Sequence, residues 1–176
     1  MMGLTKLDGL KEGEVQSPQT DQVPTMLKGT LTLHHNGKDI IFHDTSAHKD
    51  HIRIRQSTYE TSSVVLCLFS VDSTPSFSST RNNWEAEIQH YAKGTPWLLI
   101  GNKIDLREST EDCIATPAGQ QRAKELNVPY MECSAWNGEG LEEIVAKIST
   151  YDQVEVEEEP DFLSTGKPKS TRCDIL

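Results

Sequence analysis

Two short runs of uniformly apolar, β-prone residues, Val64–Phe69 and Trp97–Ile100, most constrain what this chain can fold into. Runs of this length without polar alternation mark strands covered on both faces, as in a parallel sheet packed between helices. A helical pattern stands between them: Trp84, Ile88 and Tyr91 fall at i, i+4 and i+7 in an otherwise polar segment. Thr116-Pro117 offers a hydroxyl N-cap followed by proline at the first helical position, and predicts a helix through Leu126 that stops before Pro129. Leu141, Ile144, Val145 and Ile148 make a last amphipathic face, with Tyr130–Cys133 a weaker strand candidate before it. Upstream, Leu31-Thr32-Leu33 and Asp39–His43 flank Asn36-Gly37, a hairpin signal because both turn residues take positive φ. The fold class read from this is α/β: a mostly parallel sheet with helices on both faces and one antiparallel hairpin. Ligand sites in such sheets lie on the loops beyond the strand C-termini.

With 176 residues the chain is long enough for one core without disulfide or metal staples. The boundaries expected are a domain over 1–150 and a disordered tail over 151–176. In that tail Glu155–Glu159 is nearly all acid and reads as a solvated spacer, Pro160 breaks any helix, and Ser164–Arg172 is small, polar and basic. A formal net charge of −10 excludes a general nucleic-acid binder, which needs basic surface to displace phosphate counterions. The longest apolar runs are far short of the roughly 20 residues that span a bilayer, and Met1–Glu14 lacks the basic flank and apolar core of a signal peptide. Four cysteines (Cys67, Cys113, Cys133, Cys173) without CxxC spacing point to reduced thiols, with Cys67 a small buried hydrophobe.

The chemistry-bearing residues cluster just after the predicted strands. Gly101-Asn102-Lys103-Ile104-Asp105 follows Trp97–Ile100. An aspartate carboxylate there matches the two adjacent donors on the edge of guanine, a lysine stem can lie along the base, and an asparagine can tie neighbouring loops. Glu132-Cys133-Ser134-Ala135 follows the next strand, where the Ala135 N–H is placed to donate to a base carbonyl. Asp44 ends the second hairpin strand, where phosphoryl-transfer sites hold magnesium. Thr25 precedes the hairpin, where its hydroxyl can join the metal.

These four elements, in this order and on these strand ends, resemble the Rho branch of the Ras-like small GTPases over about Gly3 to Ile148. Arg53-Ile54-Arg55 leading to Tyr59, Cys67-Leu68-Phe69-Ser70, Asn83–Ile88 and Asn102–Arg107 carry the same resemblance. It implies a guanine-nucleotide-dependent switch that binds and hydrolyses GTP with Mg2+. Asn102, Lys103 and Asp105 would read guanine, with Ser134 and Ala135 in support; Gly3 and Thr5 stand as the remnant of the phosphate loop. Thr5, Thr25 and Asp44 would hold Mg2+. The Thr25 and Asp44–Tyr59 regions would meet effectors, exchange factors and GTPase-activating proteins, the protein itself being a monomer. Cys173-Asp174-Ile175-Leu176 fits a C-a-a-X box, so Cys173 is the expected prenylation site, anchoring the protein to the cytoplasmic face of a membrane, the plasma membrane first.

The pattern departs from the family on the phosphate side. No G-x-x-x-x-G-K-[ST] string occurs, and Leu4 stands where the phosphate-loop lysine belongs, so the first strand of the sheet is expected to be missing. In the second switch Ala47 replaces a glycine, and His48 replaces the glutamine that orients the attacking water. A catalytically dead pseudo-GTPase acting as a protein-interaction module is therefore the alternative. Metal binding through His43, His48 and His51, with His34 and His35 nearby, is a weaker third reading, the bland one being polar residues on a surface loop. Trp84 and Trp136 are expected to pack in the core and in a loop.

Overall fold

The computed structural model describes residues 29–151 and 170–175. A hairpin of β1 (Gly29–His35) and β2 (Lys38–Asp44) opens the sheet, turning on Asn36 and Gly37, both at positive φ as expected. Three parallel strands follow, β3 (Val64–Ser70), β4 (Trp97–Asn102) and β5 (Tyr130–Glu132), with helices between them. The helices are α1 (Ile52–Tyr59), α2 (Thr74–Ser79), α3 (Glu85–Tyr91), α4 (Thr116–Leu126) and α5 (Leu141–Ile148); a π-helical turn, Thr80–Trp84, joins α2 to α3. The α/β class with its hairpin is as the sequence predicts.

The uniform apolar runs are explained by burial on both faces. Val65, Cys67 and Phe69 of β3 and Leu99 of β4 face one core with Tyr59, Ile88, Ala123 and Leu126 from α1, α3 and α4. Val64 and Leu66, with Leu98 and Ile100, face the other, closed by Ile144 and Ile148 of α5. At about 25 cal/mol per Å² of apolar surface buried, these two layers are the main source of stability.

The tail is where sequence and structure diverge. Ser170–Ile175, assigned above to a disordered segment, forms a strand, β6, and the sheet order is β1-β2-β6-β3-β4-β5. β6 runs parallel to both neighbours, Phe42 lying opposite Cys173 in β2 and Val64 opposite Cys173 in β3. β6 thus occupies the position between β2 and β3. The open edges of β2 and β3 take it as a partner, and Cys173 and Ile175, two apart, both fall on the face that meets the α5 core. The acidic spacer Glu155–Glu159 lies outside the described residues.

Two smaller expectations also change. Thr116 is not the N-cap of α4; Ala115 is, and the Thr116 hydroxyl donates instead to Glu132. Trp136 does not pack in its loop but is 89% exposed, whereas Trp84 packs partly buried against the core beneath the Arg55 guanidinium.

Candidate functional site

Every link from β2 through β6, β3, β4 to β5 is parallel, so Asp44, the Ser70–Asp72 turn, Asn102 and the Cys133–Ser134 loop all emerge at one edge of the sheet. This is the edge where ligands bind in such folds. The structure brings Asn102, Lys103, Asp105, Ser134 and Ala135 together there. Asp44 and, after it, Ala47 and His48 lie along the same edge; Gly3, Thr5 and Thr25 fall outside the described residues.

The loops after β4 and β5 are cross-linked by their own side chains. Ser134 is fully buried, and its hydroxyl donates to Asp105 Oδ1 at 2.5 Å while accepting the N–H groups of Trp136 and Asn137, both at 3.2 Å. One oxygen of Asp105 is thereby oriented and Oδ2 is left for a ligand donor. Asn102 Oδ1 accepts from the Lys103 N–H at 2.7 Å and from the Ala135 N–H at 3.1 Å, tying the β4 loop to the β5 loop as expected of an asparagine there. The Ala135 N–H, expected to meet the base, is thus engaged with Asn102. Lys103 adopts a left-handed backbone at φ 66°, which swings its exposed side chain across the edge to within 3.6 Å of Asp72. Hydrogen bonding from Ser70, with Lys103 in support, holds the Asp72 carboxyl below its ordinary range.

Behind these loops sits a polar network that sequence reasoning missed. Glu132 takes a two-pronged pair from Arg107 at 2.6 and 2.7 Å, a hydrogen bond from Tyr130 at 2.6 Å and one from Thr116 at 3.0 Å. Burial alone would raise the Glu132 pKa, but these donors together outweigh it and hold the carboxyl below its ordinary value. The network fastens β5 and α4 to the turn after Asp105, and Arg107 also reaches the Ile114 carbonyl. Gly140 lets the next loop approach: its φ is 75°, and a Cβ there would come within 2.1 Å of the Glu132 carbonyl oxygen. The signal in the sequence was the choice of Glu132, Tyr130 and Arg107 in half-buried positions, unreadable without knowing that they meet.

The segment after Asp44 is held differently. Arg55, buried at 2% exposure, donates to the carbonyls of Ser46 and His48 at 2.6 and 2.8 Å and forks onto both oxygens of Glu87. Tyr59 donates to the same carboxylate at 2.8 Å. One guanidinium thus pins the loop to α3. His48 caps the turn Lys49–His51, its ring nitrogen Nδ1 accepting the Asp50 N–H at 3.4 Å. Asp44 has its pKa raised by the surrounding protein, with the Thr45 N–H opposing. Among the described residues no group of three or more His, Cys, Asp or Glu side chains is placed to hold a metal, the histidine cluster included.

The Ras family pattern matches residues 17–153, most of the chain. The chain belongs to the Ras family. Similar relatives include GTP-binding protein RHO1 of Candida albicans, 32% identical over 76% of this chain and 69% of that one, and GTP-binding protein rho4 of Schizosaccharomyces pombe, 33% identical over 69% and 68%. Rho-related protein racE of Dictyostelium discoideum is 34% identical over 70% of this chain. The chain spans 61% of racE, so it covers roughly two thirds of the length of these relatives. It is a Rho-like member of the small GTPases. Proteins of this family bind guanine nucleotides with Mg2+ and meet regulators and effectors. Among the described residues no helix is long and apolar enough to cross a membrane.

Proposed function

We propose that this chain is a guanine-nucleotide-dependent switch that retains base recognition and is impaired in phosphate chemistry. The observation that carries it is the pair of bridged loops: Asp105 oriented by Ser134, and Asn102 clamping the backbone at Ala135. The donor set fits a guanine base, since an aligned carboxylate is the acceptor its N–H edge requires and Lys103 supplies a stem beside it. On the phosphate side, Asp44 with Thr5 and Thr25 would hold Mg2+, which supplies charge neutralisation to the phosphates when bound. Asp44–Tyr59 and the Thr25 region are the proposed contact surface for effectors, exchange factors and GTPase-activating proteins. Cys173 is the proposed lipid site, placing the protein at the cytoplasmic face of a membrane. Titration of the purified chain with GDP and GTP in Mg2+ tests this reading. Binding abolished by Asp105→Ala is expected; absence of binding at high micromolar protein sinks it.

The pseudo-GTPase reading is favoured by a separate observation. The strand that opens onto the edge between Asp44 and the Ser70–Asp72 turn is Ser170–Ile175, which contains no glycine to begin a phosphate cradle, and the His48 ring already serves as a helix cap. Steady GTP hydrolysis that disappears in Asp44→Ala would refute it.

A further inference from the structure

β6 is the only link between the two parts of the sheet among the described residues. β2 pairs with β6 from Asp39–Ser170 to Asp44–Ile175, and β3 pairs with β6 from Val64–Cys173 to Leu66–Ile175. Without it, β2 and β3 would each present a row of unsatisfied backbone N–H and C=O groups facing a gap. The core would open as well: Cys173 is fully buried in the layer formed by Ile40, Val64, Leu66, Leu98, Ile100 and Ile148, and Ile175 packs against it. The end of β6 is also fastened. Thr45, next to Asp44, donates both its hydroxyl, at 2.7 Å, and its N–H, at 3.3 Å, to the Ile175 carbonyl.

We propose that Ser170–Ile175 is a self-complementing strand, and that its withdrawal from the sheet is the condition for any modification of Cys173. A docked parallel strand in the sheet centre leaves no approach to the thiol for a modifying enzyme, which must take the residues around its target in extended form. The same six residues serve the sheet or the enzyme, not both. Lipid attachment would join the Cys173 sulfur to the first carbon of a prenyl diphosphate, releasing diphosphate and the thiol proton, and requires the undocked state. Withdrawal also removes the acceptor of Thr45, so modification at the C-terminal segment and the packing of the Asp44 segment are coupled. The docking statement stands on the geometry alone; the lipid statement rests on reading Cys173 as the acceptor.

Timed labelling of the full chain with iodoacetamide, read per cysteine by peptide mass spectrometry, tests docking. Cys67, fully buried in β3, is the protected reference; half-buried Cys113 is the reactive one. Cys173 is expected to react at least about 100-fold more slowly than in a peptide of residues 164–176, as a group reached only through local opening does. Reaction at the peptide's rate, whether Cys67 is protected or not, overturns the proposal. Thr45→Val removes one hydrogen bond to β6 and is expected to raise Cys173 labelling about fivefold, with Cys67 unchanged; an unchanged Cys173 rate overturns the fastening. A geranylgeranyltransferase with geranylgeranyl diphosphate separates the two statements. The peptide is expected to be modified, and the full chain to lag it by a factor that Thr45→Val reduces. A peptide that is not modified removes the lipid statement and leaves docking to stand on the labelling; a full chain modified as fast as the peptide overturns the gating.

Discussion

Around Asn102 the loops are fastened by hydrogen bonds from their own side chains, whereas the loop beyond Thr45, over Ser46 to His48, is held from behind by a single buried arginine. In the first region Ser134, Asp105, Asn102 and the Ala135 backbone form a closed set, backed by Glu132 and Arg107. In the second, Arg55 reaches two main-chain carbonyls, and no side chain of Ser46, Ala47 or His48 bonds to the sheet among the described residues. A closed set of short side-chain bonds preorganises a loop edge; a segment whose middle hangs on one guanidinium can rearrange when that contact is released. The difference separates a preorganised loop edge from a loop that can rearrange.

Removing the carboxylate tests the first region most severely. Asp105→Asn replaces one acceptor by a donor facing the guanine N–H groups, and GDP affinity is expected to fall by roughly a thousandfold in calorimetric titration, since a site left with mismatched polar groups rejects its ligand strongly. The fold should be unaffected, as the amide oxygen of the new side chain can still accept from Ser134. Arg55→Ala tests the second region. It leaves the Glu87 carboxylate poorly paired and frees the Ser46 and His48 carbonyls, so urea unfolding should show a loss of about 3 kcal/mol. Protease cleavage between Asp44 and Ile52 should rise in that variant, while whatever nucleotide affinity the base loops supply stays within a few-fold. A large loss of base affinity would mean that the two regions are not independent.

Ser134→Ala is milder. It removes a buried hydroxyl that makes one bond and accepts two, and is expected to cost about 1.5 kcal/mol of stability and about tenfold in GDP affinity. The smallest effect concerns pH. The Glu132 carboxyl has a folded-state pKa below its ordinary 4.5, so its stabilisation is complete above that value and is lost as pH falls through the folded-state pKa. Urea midpoints measured from pH 6 to pH 3 should therefore decline less steeply below about 4.5 in Glu132→Gln than in the parent chain. Equal slopes would place the acid sensitivity elsewhere.

Much of this was legible in the residues because it is local. Uniform apolar runs require burial on both faces, Asn36-Gly37 requires positive φ, and Asp105 after a strand can present a carboxylate at a loop; none of these needs a distant partner. What was not legible depends on who meets whom. Glu132 reads as an ordinary acid until Arg107, Tyr130 and Thr116 converge on it, and Arg55 as an ordinary base until Glu87 and two carbonyls do.

By itself the sequence determined the α/β layering and the hairpin, because hydrophobic periodicity and turn chemistry act over a few positions. Only the tertiary structure decided the fate of Ser170–Ile175. A six-residue segment with one cysteine and one isoleucine in strand phase has little preference of its own and reads as tail. Two facing strand edges and an apolar layer open where Cys173 and Ile175 pack supply what the segment lacks, and that gap exists only once β2 and β3 stand on either side of it.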